Sequence, residues 1–174
     1  MRPGVDGPVL AVVERGVARN LGIGTWAVHL HARDPETGRW WMQRRALHKA
    51  TDPGKWDTLM GGLVAAGETL PQALARESWE EAGVRVDALP RPPVGMGRFT
   101  VRRPVRDAGS HGLQVETVFA WAADLRPGQA PAGQDGEAMG FAACSDAEID
   151  ALARSGALTL EAAVAVRLCR RPAA

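Results

Sequence analysis

The spacing of apolar and polar residues changes along the chain, and each change marks an element. A short apolar run from Leu10 to Arg15 suits a strand, and Gly16 to Gly24 reads as a loop punctuated by Gly22 and Gly24. Trp26 to Arg33 alternates apolar and polar positions, the period of a half-buried strand. Asp34 to Gly38, DPETG, is turn chemistry, and Arg39 to Arg44 extends again, so the two runs predict a hairpin. Pro53 and Gly54 tighten a loop in TDPGKW before a short strand at Asp57 to Met60.

The period then becomes helical. Thr69 is an N-cap with Gln72 three residues on, as a capping box requires, and Pro71 is tolerated in the first turn. A helix is expected from Leu70, ending at Gly83, which can turn left-handed without steric cost. At roughly 100° per residue Leu70, Ala73 and Leu74 form an apolar stripe that Glu77, Glu80 and Glu81 prolong. Ser78 falls on the inward flank, where its hydroxyl is expected to bond back to a carbonyl one turn earlier.

Beyond this helix Arg85 to Ala88 is strand-like until Pro90 to Pro93 breaks it. Leu113 to Ala123 alternates, with Val115, Thr117, Phe119 and Trp121 on one face and Glu116 and Val118 on the other. A Pro- and Gly-rich loop from Leu125 to Gly136 is long enough to belong to a binding site, and Glu137 opens a strand to Ala143. Ser145 with Glu148 caps a helix from about Asp146 to Ser155. Thr159 starts a last helix with Leu160, Ala163, Val164 and Leu168 as its apolar stripe. Strands on both sides of a central helix, then terminal helices, predict an α/β chain whose mixed sheet is covered on both faces.

Composition narrows the class. A chain of 174 residues without internal repeats suits one domain, 1–174, and a formal net charge of +1 argues against a nucleic-acid partner. Cys144 and Cys169 form neither a disulfide framework nor a zinc pattern, which fits buried thiols in a reducing cytoplasm. The run Val9 to Val13 is too short for a secretory core or a membrane span, so no membrane partner is expected. A homodimer is left open.

Three glutamates on one helical face repel one another and sit in the half where the helix dipole disfavours negative charge. Oxygen ligands in such a group suit a hard divalent cation, Mg²⁺ or Mn²⁺, although a Glu-rich helix can also be a solvated surface. Arg44, Arg45 and Lys49 can hold a substrate phosphate or form a solvated rim. Arg98, Arg102, Arg103 and Arg106 crowd a strand edge that can line an anionic pocket. His29 and His31 share a strand face, but no neighbouring ligand completes a metal site. Trp40, Trp41 and Trp56 offer indole faces on which a cationic heterocycle can stack, or they are core.

Gly62, Glu68, Arg76, Glu77, Glu80, Glu81, Gly83 and Val84 resemble the Nudix hydrolase signature: Gly, five residues, Glu, seven residues, Arg-Glu, aliphatic, any, Glu-Glu, any, Gly, aliphatic. Only Ser78 departs, standing where the pattern has an aliphatic residue. The resemblance implies an α/β/α sandwich with a mixed central sheet, and a Mg²⁺-dependent enzyme that cleaves a small-molecule diphosphate. Glu77, Glu80 and Glu81, with the Gly62 carbonyl, would hold the metal, and Arg76 and Glu68 would brace the loop. The resemblance also places an acidic residue after the long loop, which makes Glu137 the candidate base, with Glu116 behind it.

Wider pieces, ERGVARNLGIGTWAVHLH, RRALHKATDPGKWDTLMGG, DGEAMGF and GALTLEAAVAV, resemble the Nudix domain related to fungal thiamine pyrophosphokinases, which implies thiamine diphosphate or a damaged analogue as substrate. The alternatives are a nucleoside diphosphate of the ADP-ribose type, a nucleoside triphosphate, and non-catalytic ligand sensing. Lys49 to Asp57 also resembles isopentenyl-diphosphate isomerase, but that reaction needs a cysteine soon after this loop and Asp57 to Val64 has none.

Overall fold

A computed structural model describes Gly7 and residues 11–107 and 110–170, without the side chains at 15, 106, 107 and 110. Among the described residues seven strands form one sheet: β1 Gly24–Arg33, β2 Trp40–Arg45, β3 Trp56–Asp57, β4 Met60–Leu63, β5 Val94–Asp107, β6 Ser110–Asp124 and β7 Ala138–Cys144. The helices are α1 Arg15–Ala18, α2 Leu70–Ala82, α3 Asp146–Arg154 and α4 Leu160–Cys169. The main strand order is β3-β2-β1-β6-β5, with β4 added to β1 and β7 to β2. β1 and β6 run parallel, and the other pairings between these strands are antiparallel.

Two of these pairings split the sheet. β1 meets β2 only at Ala32–Trp41 and Arg33–Trp40, as the DPETG hairpin requires. Further along β1, the pairs Ala27–Leu63 to Leu30–Met60 give its edge to β4, while β2 diverges to pair with β3 and β7. The resulting fork between β2 and β4 lies where the acidic end of α2 arrives.

Both faces of the sheet are covered, so the expected sandwich is present. On one face Val28 and Leu30 of β1 pack with Leu59, Met60, Ala73, Leu74 and Val84. On the other, Ala120 packs with Ala165 and Cys169 of α4, and Met42 and Cys144 with Ile149, Leu158 and Val166. Both cysteines are free and buried, and burial pushes the Cys169 thiol up to about 12. Among the described residues no helix is long and apolar enough to cross a membrane.

Several sequence expectations are corrected. Residues 11–14 have no regular structure, the predicted Gly16 loop contains α1, and Leu10 lies outside the described residues. The short strand at Asp57 to Met60 is two strands with different partners, joined through buried Thr58 and Leu59. Arg85 to Ala88 is not a strand but holds a 3-10 turn over Val86–Ala88, which packs back on α2. On α4 Glu161, Ala162, Ala165, Val166 and Cys169 are buried and Ala163 and Leu168 of the expected stripe pack half-buried beside them, whereas Leu160 is 47% exposed. Small residues let α4 lie close to the sheet, which hydrophobicity ranking alone misses.

Candidate active site

The capping box sets where α2 starts: Thr69 N–H donates to Gln72 Oε1 at 2.9 Å, and Gln72 N–H donates to Thr69 Oγ1 at 3.4 Å. The helix ends at Gly83 with φ 62°, whose N–H donates to the Trp79 carbonyl. Between these limits Ala73, Leu74, Glu77, Ser78, Glu81 and Ala82 are buried. Glu80 is turned to the flank, with its side chain 47% exposed, so the three glutamates do not share one burial. The Ser78 hydroxyl makes no hydrogen bond and is buried, contrary to the back-bond expected for it.

Glu81 is 3% exposed and sits in the fork of the sheet. Its Oε2 accepts from Gly61 N–H of β4 at 3.0 Å and from Gln43 Nε2 of β2 at 3.1 Å. Burial, followed by the Glu77 and Asp57 charges, outweighs that support and pushes its carboxyl up to about 8. Burial also raises the Glu77 carboxyl. Glu77 lies against Gly62, where an added Cβ would stand 2.0 Å from its Cδ. Glycine at 62 is therefore a condition for the position of the Glu77 carboxylate.

Arg76 holds this end of the helix to the preceding loop. Its guanidinium donates to both Glu68 oxygens at 2.8 and 2.9 Å and to the Leu63 carbonyl at 3.1 Å. Nη1 donates to Glu77 Oε1 at 2.8 Å and to Glu80 Oε2 at 3.0 Å. Arg76 and Glu68 thus link α2 to the loop before it.

The loop after β6 completes the acidic group. Ala132 N–H donates to the Ala82 carbonyl at 2.9 Å and Gln134 N–H to the Glu80 carbonyl at 2.8 Å, filling acceptors that a helix C-terminus leaves open. A Cβ at Gly83 would stand 2.6 Å from the Ala132 carbonyl oxygen, and one at Gly133 2.9 Å from that of Glu81, so glycines permit the approach. The loop thereby brings Asp135 and Glu137 to Glu81, each offering an oxygen within 4.8 Å of the others. Glu137 pairs with Lys49; burial opposes ionisation there, but the ammonium holds its carboxyl below the ordinary value.

These groups line one end of a cavity of about 540 Å³. Arg45, Lys49, His29 and Asp57 also line it, as do Thr25, Gln114, Glu116, Arg103 and Glu161. Arg45 is anchored by Asp57 at 3.3 Å and by the Thr51 carbonyl at 3.1 Å. Arg44, its neighbour in β2, does not line the cavity: it is exposed, and its Nε donates to the Gly54 carbonyl, because adjacent strand residues face opposite ways. Of the clustered arginines only Arg103 lines the cavity; Arg98 and Arg102 are exposed outside it, and the Arg106 side chain lies outside the described residues.

The histidines do not form a metal pair. His31 is fully buried, stacks on Trp40 at 4.2 Å, and is held neutral by burial to about 3. His29 Nδ1 lies 3.0 Å from Thr58 Oγ1, whose hydroxyl donates to the Met60 carbonyl. Trp40, Trp41 and Trp56 are packed in the core clusters and none lines the cavity, so the stacking platform expected of them is absent there.

Sequence reasoning missed Gln43, the Gly61 amide and Asp135. The first two become visible only when the fork is known. GQDGE contains an aspartate two residues before Glu137, but nothing local distinguishes it from loop polarity.

A NUDIX domain model matches residues 25–163. An uncharacterised Nudix hydrolase of Streptomyces coelicolor is 38% identical over 65% of this chain and 66% of its own length. The chain spans about two thirds of that relative and 38% of the second curated relative it matches. Among solved structures, DR0079 from Deinococcus radiodurans has a TM-score of 0.64 at 24% identity, covering 84% of this chain and 83% of that one. The NUDIX domain of Shewanella oneidensis NrtR, complexed with ADP ribose, has a TM-score of 0.58 at 18% identity, covering 84% and 85% of the two chains.

Proposed function

Because the chain belongs to the NUDIX family, we propose that it is a divalent-metal-dependent hydrolase that cleaves a diphosphate bond in a small organic diphosphate, with residues 1–174 working as one domain in a reducing compartment. The observation that carries this reading is the meeting of Glu81, Asp135 and Glu137 beside Glu77 at the end of a cavity that also presents Lys49 and Arg45.

The donor set fits the family's cation. It is made of oxygens only, and it includes a buried carboxyl raised to about 8, which a hard cation would stabilise as the anion. Glu77, Glu80 and Glu81, with the Gly62 carbonyl, would hold Mg²⁺ or Mn²⁺, and Asp135 and Glu137 stand close enough to Glu81 to join them. When bound, the cation supplies Lewis acidity to the diphosphate and lowers the pKa of water. Arg45 and Lys49 line the cavity as donors for phosphate oxygens. Arg76 keeps Glu77 and Glu80 in place from the side of the loop. Glu137, kept ionised by Lys49, is the group that accepts a proton at a carboxylate oxygen.

Phosphate release from a panel of diphosphates should require Mg²⁺ or Mn²⁺, and full activity after exhaustive chelation would overturn the reading. Glu137→Gln should lower kcat by roughly one to two orders of magnitude while changing apparent metal affinity less. Metal titration of the variant separates the two roles, and unchanged turnover would remove Glu137 as base.

For the organic part, thiamine diphosphate or a damaged analogue is supported by the wider sequence resemblance, but not by tryptophan stacking. The ADP-ribose type is supported by the NrtR domain, whose complex holds that ligand. A side-by-side comparison of kcat/KM for ADP-ribose, a nucleoside triphosphate and thiamine diphosphate decides between them. The isomerase alternative is disfavoured because Asp57 to Val64 contains no cysteine. Ligand sensing is disfavoured because every glutamate of the motif is retained.

A further inference from the structure

Four residues along β1 from His29, which stands opposite Gly61, Thr25 is paired with Glu116 across the parallel ladder, and both line the cavity. Its walls carry Gln114, Arg103 and Glu161. Arg103 is fully engaged: it donates to Asp52 at 2.7 Å, to Gln114 Oε1 at 2.9 Å and to Glu161 at 3.4 Å. Gln114 Nε2 in turn donates to Glu161 at 3.1 Å. Glu161 therefore has its counter-charge, and the amide of Gln114 is oriented by both neighbours.

Glu116 borders that arrangement without pairing with Arg103, the counter-charge of Glu161. It is 7% exposed and makes no ion pair among the described residues, and Thr25 Oγ1 reaches it only at 3.5 Å. Burial and the Glu161 charge raise its carboxyl, with His29 first, then the Arg19 charge and the Gln114 amide, opposing. A carboxylate removed from water with no ion pair and only weak neutral donors is disfavoured unless a bound group supplies a stronger partner. The open space beside Glu116 is the cavity itself. Among the described residues no tryptophan or phenylalanine lines that space, so they provide no indole or phenyl ring there for stacking a flat base.

We infer that this part of the cavity is the subsite for the non-phosphate portion of the substrate, that Glu116 is its acceptor, and that the substrate class is an organic diphosphate bearing a cationic N–H donor. The assignment rests on the hydrolase reading for its orientation, with phosphates at Lys49 and Arg45 and the amino group at Glu116. Glu116 is a specificity residue and takes no part in breaking the diphosphate bond.

The test uses non-hydrolysable methylene-bridged diphosphonates carrying either an aminoalkyl or a plain alkyl chain of two to five carbons, titrated calorimetrically into the full chain with Mg²⁺. At the best length the amino compound should bind at least about tenfold more tightly than its alkyl match, the effect of one charge-assisted hydrogen bond to a nearly buried carboxylate. In Glu116→Gln, which keeps the side-chain shape, that ratio should fall below about threefold through loss of amino-compound affinity. The corresponding hydrolysable diphosphates should show the same change in KM with little change in kcat. No preference at any length, or an equal preference in wild type and variant, would overturn the subsite. Preferred binding without phosphate release would overturn the hydrolase reading and leave the subsite standing.

Discussion

Glu81→Gln should lower turnover at least about a hundredfold, a loss of ~2.7 kcal/mol of transition-state stabilisation, while raising the melting temperature of the metal-free protein. The two effects share one cause. Glu81 is held in the fork by Gly61 N–H and Gln43 Nε2, contacts that the carbonyl oxygen of the substituted amide can keep, while the negative charge is lost. The sign of the pH dependence follows from the raised carboxyl. Its folded value of about 8 stands above the ordinary 4.5, so the folded metal-free protein holds the proton more tightly than the unfolded chain. This contribution is complete below about 4.5 and is lost as the pH rises through about 8. Metal-free wild type should therefore lose stability across that window in chemical denaturation, and Glu81→Gln should lose less. Unchanged kcat would show that Glu81 is only a structural charge, and an unchanged pH slope would remove the electrostatic account of its cost.

Gly62→Ala should abolish most activity, with turnover reduced at least about a hundredfold and apparent metal affinity weakened at least about tenfold. The added methyl would stand 2.0 Å from Glu77 Cδ and 2.3 Å from its Oε2, so the carboxylate must leave its position against β4. Glu77 is also held by Arg76 at 2.8 Å, and moving it disturbs the same guanidinium that grips Glu68. A double-mutant cycle isolates the clash. The destabilisation caused by Gly62→Ala should largely disappear in a Glu77→Ala background, where activity remains lost. Near-normal turnover in Gly62→Ala, or equal destabilisation with glutamate and with alanine at position 77, would sink this account.

Much of the site was legible in the chain because its information is local. The capping box at Thr69 and Gln72, the αL glycine at 83 and the i, i+3, i+4 spacing of the glutamates are all set within about four helical turns. The same holds for the DPETG hairpin and the Ser145–Glu148 cap, whose partners lie a few residues apart. The order of elements, strands around one helix and then terminal helices, likewise foretold a sheet covered on both faces.

Other features depended on partners far apart in sequence. Arg44 and Arg45 are chemically alike, yet only the side of β2 that each faces sends Arg45 to Asp57 and the cavity and Arg44 away from it. Asp135 reaches Glu81 because its loop fills the open carbonyls at the end of α2, a contact across more than fifty residues. Thus the sequence by itself determined the helix, its caps and the presence of an acidic motif, whose interactions act within one element. Only the tertiary structure decided which charges share the cavity, which are buried and which of them, Glu116 above all, lack an ion-pair partner among the described residues, because desolvation and pairing depend on what the fold brings alongside.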